Sequence, residues 1–184
     1  MRRIAYLKSM AILDIIKIPD PLLRRPSLAV ERADAAVLRL VNDMFATMYA
    51  APGVGLAAVQ VAVPRRVLVM DIAKGDEDAK QPIAMLNPEI VAIVGNDMRI
   101  YEEGCLSIPE VFAEVERPAS VRVAYLDLKG MRIEMLCEGM LATVVQHEID
   151  HLNGKLFIDY LSKLKRNIII KKMVKARRDD ATVD

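Results

Sequence analysis

An α+β fold with helices early and late and strands between them is what this sequence predicts. Three observations carry that reading. Apolar residues recur at helical spacing over Val37–Met48, and an apolar run, Met140 to Val145, leads a second helical stretch that ends at Leu152. The stretch "SVRVAYLDLKGMRIEMLCEG" alternates apolar and polar residues around a turn at Lys129-Gly130, as a hairpin does. Strand-like segments fill the middle of the chain and do not alternate with helices, which disfavours a parallel sheet of βαβ units.

Taken in order, the elements are these. "MRRIAYLKSM" opens the chain, basic and without acids, and residues 1–11 read as an N-terminal extension too short for a typical targeting peptide. Pro19, Pro21 and Pro26 keep "IPDPLLRRPS" extended or turning. Asp34 is placed to cap a helix carrying Val37, Leu40, Val41, Met44, Phe45 and Met48 on one face, and Pro52-Gly53 stop it. "RRVLVMDI" is a short buried strand, and Asp76 to Gln81 a polar loop. "IAMLNPEIVAIVGNDMRIYEEG" reads as strands broken at Asn87-Pro88 and at Gly95-Asn96. After the hairpin comes a helix from Met140 to Leu152, ended by Asn153-Gly154. A last amphipathic helix covers Ser162 to Arg177.

Composition bounds the function. The 184 residues suit one domain with a tail; 53% are apolar and 28% charged. A net charge of +1 makes no global case for a nucleic-acid partner, although Leu161 to Arg178 holds eight basic residues and no acid. No apolar run approaches the ~20 residues that span a bilayer, so no membrane role is expected. Two cysteines, Cys105 and Cys137, are too few for a disulfide framework and fit a reducing cytoplasm.

The two histidines of the chain stand together in "VVQHEIDHLNG". Four residues apart on a helix, His147 and His151 share a face and can aim two imidazoles at one metal ion. Glu148 lies one step round, placed to exchange a proton with water at the ion. A third ligand is required. No glutamate follows Glu148, which disfavours a thermolysin-like site, and Phe157 stands where a metzincin has its last histidine. Aspartates beyond the helix and the two cysteines remain. Cys105, in the loop-like "YEEGCLSIPE", is the better cysteine; Cys137, in "IEMLCEG", reads as core. A Cys-His-His set leaves a position open for water, as a catalytic site does. "PGVGLAAVQ" lacks the preceding strand, third glycine and lysine of a phosphate loop. Its glycines suit close backbone approach to a ligand, and Gln60 offers an amide donor.

The segments "GVGLAAVQ", "EGCLS" and "QHEIDH", in that order, resemble the three signature motifs of the peptide deformylases. "NPEI", "RPASVRVAYLD" and "LNGKLFIDYLS" are similar to that family too, so the resemblance covers roughly Ile12 to Leu164. It implies small β-sheets packed around a central metal-binding helix, a catalytic domain over 12–161, and a basic C-terminal helix and tail over 162–184. It implies removal of the formyl group from the formyl-methionine of nascent polypeptides, in a bacterial-type cytoplasm and by a monomer. Cys105, His147 and His151 would be the metal ligands. Glu148 would be the general acid/base, and Gln60 with the Leu106 backbone N–H would stabilise the oxyanion. Gly55 would let the substrate backbone pass. The implied ion is Fe(II) in cells, with Zn(II) or Ni(II) in purified protein; the ligand set alone would suggest zinc.

Val54, Gly55, Glu103, Gly104, Met140, Thr143 and Val144 are expected along the substrate path. Met140, Thr143 and Val144 share the helical face of His147, and the alternative is that they are simply core. Glu103, beside the cysteine, either orients backbone groups or faces solvent. The basic helix either presents a solvated stripe or touches RNA near the ribosomal exit, where such an enzyme meets its substrate.

Overall fold

Asp34 begins the first helix, α1 (Ala35–Ala50), as expected: its carboxylate accepts the backbone N–H groups of Ala36 and Val37. The structure, a computed structural model, describes residues 10–73 and 80–180. Most of the N-terminal extension (1–9), residues 74–79, which include four of the six residues of the expected polar loop, and the last four residues lie outside the described residues.

Among the described residues seven strands follow α1: β1 (Gly55–Ala57), β2 (Val67–Met70), β3 (Ile83–Ile93), β4 (Met98–Cys105), β5 (Ile108–Pro118), β6 (Ser120–Leu126) and β7 (Arg132–Glu138). They form a five-stranded antiparallel sheet in the order β1-β2-β3-β6-β7 and a separate β4-β5 ribbon. Helix α2 (Gly139–Leu152) and helix α3 (Lys163–Asp180) complete the chain.

Strand β2 explains its own sequence. Val67 and Val69 pack with α1 through Val41, Met44 and Met48, while Leu68 and Met70 pack with α2 through Val145, Ile149 and Leu152. A strand covered on both faces has no polar side to show, hence the unbroken "VLVM". A third cluster joins Ile108, Val111 and Val115 of β5 to Leu156, Phe157, Ile158 and Met173 of α3. Helix α2 therefore lies between the large sheet and the ribbon, and even its polar residues Gln146, His147, Glu148 and His151 are buried.

Two strand expectations need correction. Asn87-Pro88 does not break β3, which runs through it with a register shift between Leu86 and Glu89. Asn87 adopts φ 51°, and its side-chain amide bonds the Val30 backbone at both N–H and C=O, each 2.7 Å. The irregularity is a bulge that ties in the N-terminal segment. Strand β5 was not foreseen. Its buried positions are Ile108, Val111, Val115 and Arg117, and the arginine disguises the alternation.

The end of α2 is fixed by Gly154, which takes φ 74°. A Cβ there would lie 2.8 Å from the Arg24 carbonyl carbon and closer still to its oxygen. Gly154→Ala therefore adds left-handed strain to a backbone collision. We expect a loss of about 2 kcal/mol or more, a melting temperature lower by about 4–8 °C, measurable by scanning calorimetry. An unchanged melting temperature would contradict this account of the helix end.

Candidate active site

Helix α2 carries His147 and His151 one turn apart, their rings 5.0 Å between centroids and nearly perpendicular. Cys105 comes from the ribbon. Between Gly104 and Cys105 the β4-β5 pairing jumps from Gly104↔Phe112 to Cys105↔Ile108, so the strand ends in a tight irregular turn. That turn brings Cys105 Sγ to 3.2 Å from His151 Nε2. One ligand atom from each of Cys105, His147 and His151 lies within 4.8 Å of the others. The cysteine favoured in the sequence is thus the one beside the histidines. Cys137 is buried in β7, as expected of a core residue.

A soft thiol and two imidazoles, buried and converging, fit a borderline divalent cation. His147 Nδ1 donates to Glu103 Oε2 at 2.8 Å, which leaves Nε2 as the ring's free ligand atom. Burial lowers the basicity of His147, but Cys105 and Glu103 outweigh it and raise it well above the usual value. Burial, with His147 and Arg117, holds His151 well below it.

Glu103 corrects an expectation. It does not face solvent: it is 5% exposed, and its carboxylate receives Arg117 Nε at 2.5 Å and Nη2 at 3.0 Å. Burial alone would raise its pKa, yet the hydrogen bonds from His147 and Arg117 hold it below the ordinary carboxylate value. Arg117 Nη1 also reaches Asp150 Oδ2 at 2.8 Å, and the Tyr160 hydroxyl donates to the same oxygen at 2.8 Å. Burial works against the charge on Arg117, but Glu103 and Asp150 raise its pKa and keep it cationic. Sequence reasoning missed Arg117, Asp150 and Tyr160. The available signals were an arginine at an inward position of an alternating strand and an aspartate inside the His-Glu-x-x-His segment.

Glu148 is buried, and burial pushes its pKa up to about 7, against the pull of His147. Among the described residues its Oε2 has no hydrogen-bond partner. Gly55 packs directly on this carboxylate; a Cβ at Gly55 would lie 2.9 Å from Glu148 Cδ and closer to Oε1. The glycine therefore makes room for the glutamate itself. Gln60 is buried with its amide fixed: Oε1 accepts the Ala57 N–H at 2.8 Å, while Nε2 points to Ser107 Oγ at 3.2 Å and Cys105 Sγ at 3.6 Å.

These groups open onto one cavity of about 470 Å³. The loop after α1 contributes Val54 and Gly55, the end of β4 contributes Glu103, Gly104 and Leu106, and α2 contributes Met140, Thr143 and Val144. Every residue expected along the substrate path lines it. Val144 packs in the core as well as lining the cavity.

The two thiols should differ in chemistry. Burial pushes Cys137 up to about 11, whereas Cys105 is partly accessible beside the cavity. In chelator-treated native protein at about pH 8, we expect Ellman's reagent to titrate Cys105 alone and, after denaturation, both thiols. Zinc should protect Cys105. Equal reactivity of Cys105 with and without zinc would exclude it as a ligand.

Comparison with known proteins agrees with this geometry. The profile of the polypeptide deformylase family matches residues 12–167. The peptide deformylase of Agrobacterium fabrum is 55% identical over 169 residues, covering 92% of this chain and 98% of that protein. The peptide deformylase of Afipia carboxidovorans is 58% identical over 169 residues, with the same coverage. A crystal structure of the Ehrlichia chaffeensis peptide deformylase superposes with a TM-score of 0.86 at 42% identity, covering 93% of this chain and 99% of that one. The same enzyme in complex with actinonin also gives 0.86, at 44% identity, covering 92% of this chain and 99% of that one.

Proposed function

The chain belongs to the polypeptide deformylase family and is an enzyme of that family, and we propose that it removes the N-formyl group from formyl-methionyl nascent peptides at the cavity between α2 and the β4-β5 ribbon. The observation that carries this reading is the convergence of Cys105, His147 and His151 on one point beside the buried carboxylate of Glu148.

Cys105, His147 and His151 would hold one divalent ion, which when bound acts as a Lewis acid toward water and the formyl oxygen. Glu148 takes a proton from the attacking water and returns it to the methionine nitrogen as the C–N bond breaks and formate leaves. A carboxyl held near neutrality by burial suits a group that must both accept and donate. Gln60 Nε2 and the Leu106 backbone N–H donate to the oxyanion, each such donor being worth about 3 kcal/mol. Gly55 leaves space for Glu148. Glu103, anchored by Arg117, keeps His147 in its ligating orientation. Val54, Gly104, Met140, Thr143 and Val144 line the path for the methionine side chain and the peptide that follows.

In cells we assign Fe(II) to the site on the family resemblance; a thiolate with two imidazoles also accepts Zn(II) and Ni(II), so either is able to replace it. We place the enzyme in the cytoplasm as a monomer, with residues 1–11 an extension, 12–161 the catalytic domain and 162–184 a basic helix and tail. No helix among the described residues is long and apolar enough to cross a membrane. Helix α3 docks through Met173 and exposes Lys163, Lys165, Lys171, Lys172 and Lys175, a surface suited to RNA at the ribosomal exit.

Two experiments test this reading. Glu148→Ala should lower formate release from formyl-Met-Ala-Ser by about 10³-fold while zinc binding persists; equal release by both proteins would refute the mechanism. Co-sedimentation with ribosomes should weaken as salt rises and on deletion of residues 163–184. Binding unaffected by both would assign the cations to solvent alone.

A further inference from the structure

The loop Pro52–Gly55 fits between two parts of the site with little room to spare. A Cβ on Gly53 would lie 2.9 Å from Leu106 Cδ1, and one on Gly55 would strike the Glu148 carboxylate. The loop's last residue, Gly55, already belongs to β1 and pairs with Met70 of β2; before that ladder two further backbone bonds hold the loop, Gly53 N–H to Met48 O at 2.9 Å and Asp71 N–H to Val54 O at 2.9 Å. The first belongs to the end of α1. The second depends on where the chain sits as it leaves β2, and that position has its own clasp.

Asp71 is 6% exposed, and among the described residues its carboxylate has three hydrogen-bond partners. Oδ2 accepts the Tyr49 hydroxyl at 2.6 Å, while Oδ1 accepts the N–H groups of Ala73 at 3.0 Å and Gln81 at 3.3 Å. Tyr49, on the last turn of α1, is held in turn: its ring stacks on Phe45 with centroids 6.2 Å apart, and Lys80 Nζ lies 4.4 Å above it. Burial and the bond to Asp71 push the Tyr49 hydroxyl up to about 12, so it remains a donor throughout the working range of pH.

We infer that Tyr49 and Asp71 are positioning residues for the deformylase reaction, forming a clasp between the end of α1 and the end of β2 that sets the Val54–Gly55 wall of the substrate cavity. This rests on the function proposed above. Neither side chain lines the cavity. The clasp acts through the Val54 carbonyl, while Glu148 is held independently on the buried helix α2. Loosening it should therefore weaken substrate binding more than it slows the chemical step.

The test is steady-state kinetics of formate release by zinc- or nickel-loaded full-length protein on formyl-Met-Ala-Ser, with Tyr49→Phe as the principal variant. The phenylalanine keeps the ring stack and removes only the hydroxyl. KM should rise about 5-fold with kcat within about 2-fold of the wild type. The Asp71 amide should exchange faster with deuterium, because its bond to Val54 opens more often. Asp71→Asn, which keeps an acceptor, should fall between the wild type and Asp71→Ala, and Tyr49→Phe should add nothing to Asp71→Ala. A Tyr49→Phe protein that melts earlier yet keeps wild-type KM and amide exchange would overturn the inference and leave a purely structural bond. Absence of formate release from the wild type would instead refute the deformylase reading, so the two failures are distinguishable.

Discussion

The Glu103 carboxylate is buried, and burying such a charge without a partner costs several kcal/mol. It stays ionised because Arg117 grips both of its oxygens and His147 donates to one of them. Breaking such a pair by removing one member typically costs 3–5 kcal/mol, so β4, β5 and α2 are locked in one relative position. Asp150 and Tyr160 extend the lock by binding the far side of the guanidinium. A ring nitrogen of the candidate metal site thus inherits its direction from a charge network reaching across three elements.

Much of this arrangement was legible in the residues. His147, Glu148, the favoured cysteine and Gln60 line one cavity, His151 lies beside that cysteine, and the helices and the β6-β7 hairpin lie where spacing and alternation put them. Those features are local: a helical period, a two-residue alternation, a cap. What was not legible depends on partners distant in sequence. Arg117 looks like a surface residue until Glu103 and Asp150 stand beside it. Asn87-Pro88 looks like a break until the Val30 backbone claims the asparagine amide. Glu103 looked solvent-bound or backbone-directed because nothing nearby in the chain announces its cation. Gly55 was legible as a site of close approach, but the group that approaches it is Glu148, from a helix some 90 residues later.

The chemistry places opposite demands on neighbouring groups, and burial meets both. Glu103 is given two cationic or donating partners that keep it charged; in the proposed mechanism Glu148 needs a mobile proton, and among the described residues its Oε2 has no hydrogen-bond partner. Two carboxylates on either side of His147 are thereby driven apart in acidity by hydrogen bonding rather than by residue type.

Strand β2 has one more consequence. Its four residues alternate between the cluster under α1 and the cluster under α2, so the two share a single wall. Neither can come apart while the other persists, because loss of either strips one side of the same strand. Heat or denaturant should meet a single all-or-none transition across the catalytic body, with no half-melted form in which the imidazoles survive on a loosened scaffold.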